Sequence, residues 1–452
     1  MSATAGRIRE PSRDIDVCYE ADVIVVGGGP GGHSAAIAAA RNGASTVLIE
    51  RYGHLGGMAS GGLVILIPHM SDGASKEPQI AGLCLEWMER LAKIPGGMVG
   101  PALDELGSMD PRVIEKWKNH FSTVVNGRIR LTWTADPEML KCILNDMVEE
   151  AGVKLSLHSW GTRTIVEDGT VKGVFFESKS GRQAALGKVI IDGTGDGDLL
   201  SSAGAEYDDA LGPKLRSSML ALVFRVGNCD FRKYSEFTAK DPGKARELMG
   251  ELGKEAGTFF LPIAGHRNDV VWVNNWIPGL NPTKVEDLTT LEVSVRKMMR
   301  KWHEHMRKNV PGFENSFILD TASQTGTRGS RRLVGEYIVT GDDMNSGRKF
   351  DDTIAVIPRI GQPGDNTCSY IPYRALVPVK VDGLLVAGRS FSSDKVANDN
   401  MNLIPHCAAM GEAAGTAAAL SVKASSTPRQ VDYKLLQKTL VRNGAVLPGI
   451  DI

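Results

Sequence analysis

The sequence predicts an α/β protein in which a parallel sheet with helices and a β-meander is interleaved with a smaller α+β domain. Three observations carry that prediction. Between Ala21 and Glu50 a β-branched strand, a glycine-rich turn, an alanine-rich helix and a second strand follow in order. Residues 153–191 hold a run of short strands separated by turn residues, the pattern of a meander. Gly383–Ala387, apolar and followed by glycine, has no burial partner unless it returns to the sheet that the N-terminal strand begins.

The first unit is the most informative. Asp22–Val26 is the β-branched run expected of a strand buried on both faces. Gly27, Gly29 and Gly32 follow with G-x-G-x-x-G spacing, with Pro30 and Gly31 between the last two. The first glycine permits a tight turn, the second lets the backbone approach a pyrophosphate, and the third lets the helix lie close to the strand. That helix, Gly31 to about Asn42, stops at Gly43 and aims its N-terminal amides at the phosphates. Thr46–Ile49 then delivers Glu50, about 20 residues past the turn, where a carboxylate accepts from a ribose diol. Five features in the right order imply an ADP-containing dinucleotide.

The rest of the chain is read in the same way. The first twenty residues are polar and read as a surface arm, and Arg51–Leu66 as a glycine-dense loop. Apolar residues at helical spacing predict helices over Ile80–Ala92 and Val113–Phe121. Trp133–Glu149 is expected to be an amphipathic helix, with Asp136-Pro137-Glu138 as its start signal. Val153–Leu157, Gly161–Val166, Val171–Glu177, Arg182–Leu186 and Lys188–Ile191 read as separate strands, with a hairpin turn at Glu167-Asp168-Gly169. Further on, Met219–Val226 and Val270–Trp276 read as strands and Val285–Lys308 as a long basic helix. Ile354–Pro358 and Tyr370–Pro372 read as extended, and the last long helix runs from about His406 to Val422. The dinucleotide-binding domain is thus expected in three parts, 18–75, 131–206 and 324–452, with a helical insertion at 76–130 and a substrate (cap) domain at 207–323.

Bulk properties exclude several function classes. With 52 basic against 53 acidic residues, no field attracts nucleic acid or an anionic membrane. The six cysteines form no C-x-x-C pair, which argues against a zinc site, an iron–sulfur cluster or a disulfide framework. No stretch reads as a signal peptide or a membrane span, so a cytoplasmic protein is expected. A homo-oligomer is compatible with the sequence, which does not decide it.

The segments VIVVGGGPGG, ERYGHLGGMASGG, ADPEMLKCILNDMVEEAGV, VIIDGTGDGDLLSSAGAEY, TRGSRRLVGEYIVTGDD, IPYRALVPVKVDGLLVAGRSFSS and IPHCAAMGEAAGTAAAL jointly resemble the FAD-dependent oxidoreductases of the glutathione-reductase-type two-dinucleotide-binding-domain superfamily. Within it the chain is similar to the FAD-dependent oxidoreductase family related to succinate dehydrogenase and fumarate reductase flavoproteins. The resemblance implies a Rossmann-like FAD-binding domain. It assigns Gly27, Gly29, Gly32 and Glu50 to the ADP half of FAD, with Arg51 beside the adenosine. Gly56, Gly57, Met58 and Ser60 would run along the pyrophosphate and flavin ring. Thr162 and Arg163 would offer backbone to the adenine, and Thr194, Gly195 and Asp196 would close over the ADP moiety. Gly388 and Arg389 would approach the phosphates and ribitol, while Asn402, Leu403 and Ile404 face the flavin pyrimidine edge.

Physics supports the last assignment, since a helix N-terminus aimed at the flavin stabilises the anion formed on reduction. No second G-x-G-x-x-G follows a later strand, which favours a flavin reduced by the substrate itself rather than by NAD(P)H. The expected activity is a dehydrogenase or oxidase taking hydride from a small polar organic substrate, anionic or neutral, with oxygen, a quinone or an unknown acceptor reoxidising the flavin. The alternatives are a flavin monooxygenase of the same superfamily, against which the late Gly388-Arg389 counts, and a non-catalytic or RNA-modifying flavoprotein. For the chemistry, His406 at the start of the last helix is the first candidate base, and His69 and His266 are further candidates. Arg328 and Arg331, with Arg332, could grip a carboxylate or form structural ion pairs with Glu336, Asp342 or Asp343. Tyr373-Arg374 is another anchoring candidate, and His54 invites comparison with covalently attached flavin at a spacing that does not match.

Overall fold

The computed structural model describes residues 6, 8–359 and 368–450. Its main sheet is built around β1 (Val17–Val26), followed by α1 (Pro30–Arg41) and β2 (Thr46–Ile49). After α2 (Gly82–Ala92), α3 (Pro111–Trp117) and α4 (Pro137–Glu150), β3 (Lys154–Ser156) adds beside β2, and β4 (Trp160–Glu167), β5 (Thr170–Ser178) and β6 (Gly181–Asp192) form the meander. The order is β3-β2-β1-β6-β5-β4, parallel from β3 through β6 and antiparallel through the meander.

Alternation along β1 buries it on both sides. Val23 and Val25 enter one apolar core, Ile24 and Val26 the other. The surface arm is shorter than the sequence suggests, because Val17–Tyr19 already pair with Ala184 and Ala185. The two strands expected at Arg182–Leu186 and Lys188–Ile191 are one. Gly187 lies inside β6, where a Cβ would come within 2.7 Å of Ile24 Cγ1, so the residue that looks like a break is a close-packing position. Asp168 and Gly169 both take positive φ, 47° and 74°, making the expected hairpin turn.

The second sheet is antiparallel: β7 (Phe224–Gly227), then α5 (Phe231–Lys240) and α6 (Pro242–Ala256), β8 (Phe260–Ala264), β9 (Val270–Asn275), α7 (Val285–Asn309) and β10 (Phe317–Thr321), in the order β8-β9-β7-β10. Its core holds Leu291, Val295, Met299, Trp302 and Met306 of α7, so the basic residues of that helix are the solvated side of a packed element. Leu63, Ile65 and Leu66 of the glycine-dense loop also enter this core. Two expectations are corrected here. Met219–Val226 is not one strand: Leu220–Ala221 pairs with Gly326–Thr327, and only from Phe224 does the chain join β9. The switch is held by Asn275, whose side chain bonds both backbone groups of Leu222. Trp133–Ala135 is strand rather than helix, and the helix proper starts after Asp136, whose carboxylate accepts from Glu138 N and Met139 N.

The chain then returns through β11 (Thr353–Pro358), β12 (Cys368–Pro372) and β13 (Leu384–Val386) to α8 (Ile404–Lys423) and α9 (Tyr433–Arg442). β13 pairs in parallel with the end of β6, Ile190 opposite Leu384 and Asp192 opposite Val386, which places the N-terminal and late strands in one sheet. α8 lies backbone to backbone on α1. A Cβ at Gly411 would come to 2.0 Å from Gly31 O, and at Gly415 to 2.0 Å from Ala35 O. α8 starts two residues before the expected His406. Among the described residues no helix is long and apolar enough to cross a membrane.

Candidate functional site

The carboxyl ends of β1, β6 and β13 face a cleft of ≈ 760 Å³. Ligands of open α/β sheets bind at such strand ends. Of the residues assigned from sequence, Gly27, Gly29, Pro30, Gly31, Glu50, Arg51, Gly57, Met58, Thr194, Gly195, Asp196, Gly388 and Arg389 line it. Gly27 takes φ 97°, and a Cβ there would meet Gly193 O at 2.5 Å. Gly29, the N-cap of α1, is different: nothing lies within 4 Å of its Cβ direction, so that space belongs to the cleft. Glu50 Oε2 accepts from Gly28 N–H and Oε1 from Tyr52 N–H at 2.7 Å, while burial raises its carboxyl above the usual range. Arg51 stands between the rings of Tyr52 and Trp160, 5.0 and 5.9 Å from their centres.

Other assigned residues sit elsewhere. Gly32 lies behind the turn, where a Cβ would fall 1.7 Å from Gly27 O. Gly56 donates to Gly28 O at 2.9 Å, and Ser60 Oγ donates to Leu55 O, so both brace the loop from beneath. Thr162 and Arg163 point out from β4, and Thr162 Oγ1 donates to Phe175 O at 3.1 Å. The cleft edge there is Ser159, Trp160 and Gly161. Gln324, unflagged by sequence, lines the cleft with Oε1 buried and unpartnered.

A second chamber of ≈ 1160 Å³ adjoins the cleft, and Pro30, Met58, Thr327, Arg389 and Cys407 line both. Asn402, Leu403 and Ile404, at the start of α8, line this chamber. A small polar substrate is expected from sequence, but the walls are largely apolar: Val64, Leu66, Phe121, Leu261, Ile263, Trp272 and Trp276. Polar groups gather around Arg216, Arg328, Asn274, Asn402 and His69. Arg216 and the two tryptophans were not singled out by sequence. The period-2 alternation of Val270–Trp276 puts Trp272, Asn274 and Trp276 on one side and could have found them, whereas Arg216 lies in a short 3-10 turn, Arg216–Ser218, with no pattern to mark it.

The candidate catalytic residues separate. His69 lines the chamber, held at φ 60°, with Nδ1 buried and unpartnered. Burial, with Arg130, His406 and Arg216 nearby, pushes its pKa down to about 3, so the ring is neutral. His406 does not line it. As the third residue of α8 it is fully buried, and its Nδ1 accepts from Leu403 N–H at 3.4 Å across the first turn. Burial and Arg216 push its pKa to about 3 as well. His266 lines neither cavity, and its Nε2 lies 3.3 Å from Asp136 Oδ2 at the cap of α4. His54 stacks on Tyr52 and reaches Ser323 Oγ at 3.0 Å.

The arginines go to three different places. Arg328 enters the chamber. Arg331 donates to Asp198 Oδ1 at 3.1 Å and Asp196 O at 3.0 Å, and Arg332 to Asp208 Oδ2 at 2.6 Å, so these two are structural, with partners other than Glu336, Asp342 or Asp343. Arg374 pairs with Asp352 at 3.0 Å, and Tyr373 donates to Pro428 O at 2.7 Å.

The sequence model of the family described as FAD dependent oxidoreductase matches residues 22–440. The chain belongs to that family. A digeranylgeranylglycerophospholipid reductase from Methanopyrus kandleri is 26% identical over 179 residues, 39% of this chain and 38% of that protein's length. Among solved structures, a geranylgeranyl bacteriochlorophyll reductase-like protein from Thermoplasma acidophilum has 15% identity and a TM-score of 0.45, over 94% of this chain and 83% of that one. A p-nitrophenol 4-monooxygenase from Pseudomonas putida has 11% identity and a TM-score of 0.48, over 94% and 86%. The protein is an oxidoreductase that uses FAD.

The cleft fits that cofactor. Open space at Gly29 beside the α1 N-terminus suits a pyrophosphate, and the Glu50 carboxylate suits a ribose diol. The orphaned Gln324 Oε1 needs a donor of the kind a sugar hydroxyl supplies.

Proposed function

We propose that this enzyme is a dehydrogenase or oxidase acting on an organic substrate held in the apolar chamber. The observation that carries the reading is the junction: five residues line both the nucleotide cleft and the chamber, so a substrate in one meets a ring system entering from the other. Bound FAD supplies a two-electron acceptor for the hydride that leaves a substrate C–H bond. The chain's own residues do the rest. The apolar walls exclude water, and the polar cluster at Arg328 and Asn402 orients the substrate. A neutral His69, the one histidine among the chamber's lining residues, accepts the proton released from the substrate.

An anaerobic screen tests the reading. Candidate organic substrates are mixed with the FAD-loaded protein and the flavin band is followed for bleaching, which is the expected result. Reduction only by NAD(P)H, followed by oxygen-18 incorporation into an added substrate, would replace it with a monooxygenase.

A further inference from the structure

Three guanidinium groups reach the chamber, those of Arg216, Arg328 and Arg389. Two already face carboxylates. Arg389 Nη2 lies 2.7 Å from Asp196 Oδ1, and Arg216 Nε lies 4.0 Å from Asp399 Oδ1, with its Nη2 donating to Asn402 Oδ1 at 2.5 Å. Arg328 has no carboxylate partner among the described residues. Its Nη2 donates to two neutral oxygens, Asn274 Oδ1 at 2.7 Å and Asn275 O at 3.2 Å, while Nε is buried without an acceptor. Its Cζ stands 5.1 Å from the centre of the Trp276 ring.

A cation withdrawn from water without a counter-charge is costly, and contact with an aromatic face offsets only part of that cost. The Asp399 carboxylate that faces Arg216 also acts on Arg328, so three guanidiniums share two carboxylates and the polar end of the chamber keeps one positive charge in excess. Asn274 and Asn275 occupy the Nη2 group, and Nη1, with no hydrogen-bond partner among the described residues, is the end left for a ligand. A guanidinium held at one end and free at Nη1 suits a charge-assisted contact with a carboxylate oxygen. The wall that continues along the same strands, Leu261 and Ile263 from β8 with Trp272 from β9, offers nothing to a second charged group.

We propose that the substrate is an amphipathic monoanion, with a carboxylate held by Arg328 beside Trp276 and an apolar body packed against Leu261, Ile263 and Trp272. This deepens the reading of the chamber as the place of oxidation and rests on it. A compact dicarboxylate is disfavoured, because the other two guanidiniums are already paired and the walls are apolar.

Equilibrium binding to the FAD-loaded protein tests the class without turnover, using 2-naphthoate, 2-naphthamide, 2-naphthyl phosphate and succinate as probes, read by perturbation of the flavin spectrum and by calorimetry. A charge-assisted contact gives 2-naphthoate an advantage of about 10- to 100-fold over the isosteric amide. Arg328→Gln is expected to remove that advantage while the amide's affinity and the flavin spectrum stay as they were. Equal binding of acid and amide by the wild-type protein overturns the proposal with no variant needed. Succinate binding as tightly as 2-naphthoate overturns the apolar body, and tighter binding of 2-naphthyl phosphate overturns the carboxylate. If 2-naphthoate binds as expected but no compound ever bleaches the flavin, the reaction falls and the ligand class stands.

Discussion

Arg389 Nη2 donates to Asp196 Oδ1 at 2.7 Å, joining the loop after β13 to the loop after β6 across 193 residues of sequence. Ser330 Oγ donates to the same oxygen at 2.8 Å. Both charged residues line the nucleotide cleft, so the pair closes its wall and keeps the Asp196 carboxylate neutralised where an anionic pyrophosphate must lie. Arg389→Gln removes the cation and leaves the carboxylate without its ion-pair partner. Both changes act against FAD, and the loss of one charge-assisted contact predicts a Kd about 10- to 100-fold higher. Quenching of flavin fluorescence on titration measures it, and an unchanged Kd would remove Arg389 from the cofactor's binding set.

Gly29 and Gly32 differ in what a methyl group would meet, and this predicts opposite failures. At Gly29 a Cβ enters open cleft, and the backbone, φ −68° and ψ −177°, accepts any residue. Gly29→Ala should therefore fold with an unchanged or slightly raised apo Tm and lose FAD affinity. At Gly32 a Cβ would lie 1.7 Å from Gly27 O, so Gly32→Ala must push α1 off the strand and should unfold or sharply destabilise the apo protein. Thermal melts of both apo variants separate the two roles. A Gly29→Ala protein that binds FAD normally would show that the space beside α1 is not where phosphate lies.

The contrast explains what sequence could and could not convey. The turn glycines are local requirements, set within a few residues of each other, and so the strand–turn–helix–strand unit is legible. The same holds for Asp136 as a helix cap and for α7, whose apolar period runs through 25 residues. Gly187 misleads because it is needed by Ile24, a residue far away in sequence that packs over it. Likewise Leu220–Phe224 is uniformly apolar, and nothing within it shows that Asn275 will divide it between two sheets. The chamber is less legible still. Arg328 could be picked out as a candidate grip, but its separation from Arg331 depends on the Asp196 carbonyl and the Asp198 carboxylate in the loop after β6.

Glu412 provides a test of pH and stability. It is buried in the middle of α8, where Oε2 accepts from Leu83 N–H at 3.0 Å at the start of α2, and burial pushes its pKa up to about 7. A carboxyl raised in the folded state binds a proton more tightly there than in the unfolded chain, whose value is near 4.5. Its contribution is then complete below about pH 4.5 and is lost as pH rises through 7, at a cost on the order of 3 kcal/mol. Glu412→Gln keeps an acceptor for Leu83 and removes the titration. The variant should gain Tm over the wild type as pH goes from 5 to 8, and parallel Tm curves would show that the carboxyl is not protonated in the fold.

His69 and His406 should fail in different ways. His69 faces the chamber from a left-handed backbone conformation that asparagine also tolerates, so His69→Asn removes the imidazole with little strain. The rate of flavin reduction by substrate is expected to fall by about 100-fold or more, the usual worth of a positioned base, while the affinity for 2-naphthoate stays within about twofold. His406→Gln instead disturbs the first turn of α8, at about 1 kcal/mol of stability, with the reduction rate per folded molecule nearly unchanged. Both rings are held neutral, so the free enzyme's kcat/KM should show no imidazole break between pH 5 and 8. A break near pH 6.5 that disappears in His69→Asn would show that His69 is solvated and charged in the resting enzyme. Equal loss of reduction rate in both variants would move the base from the chamber wall to the helix beneath it.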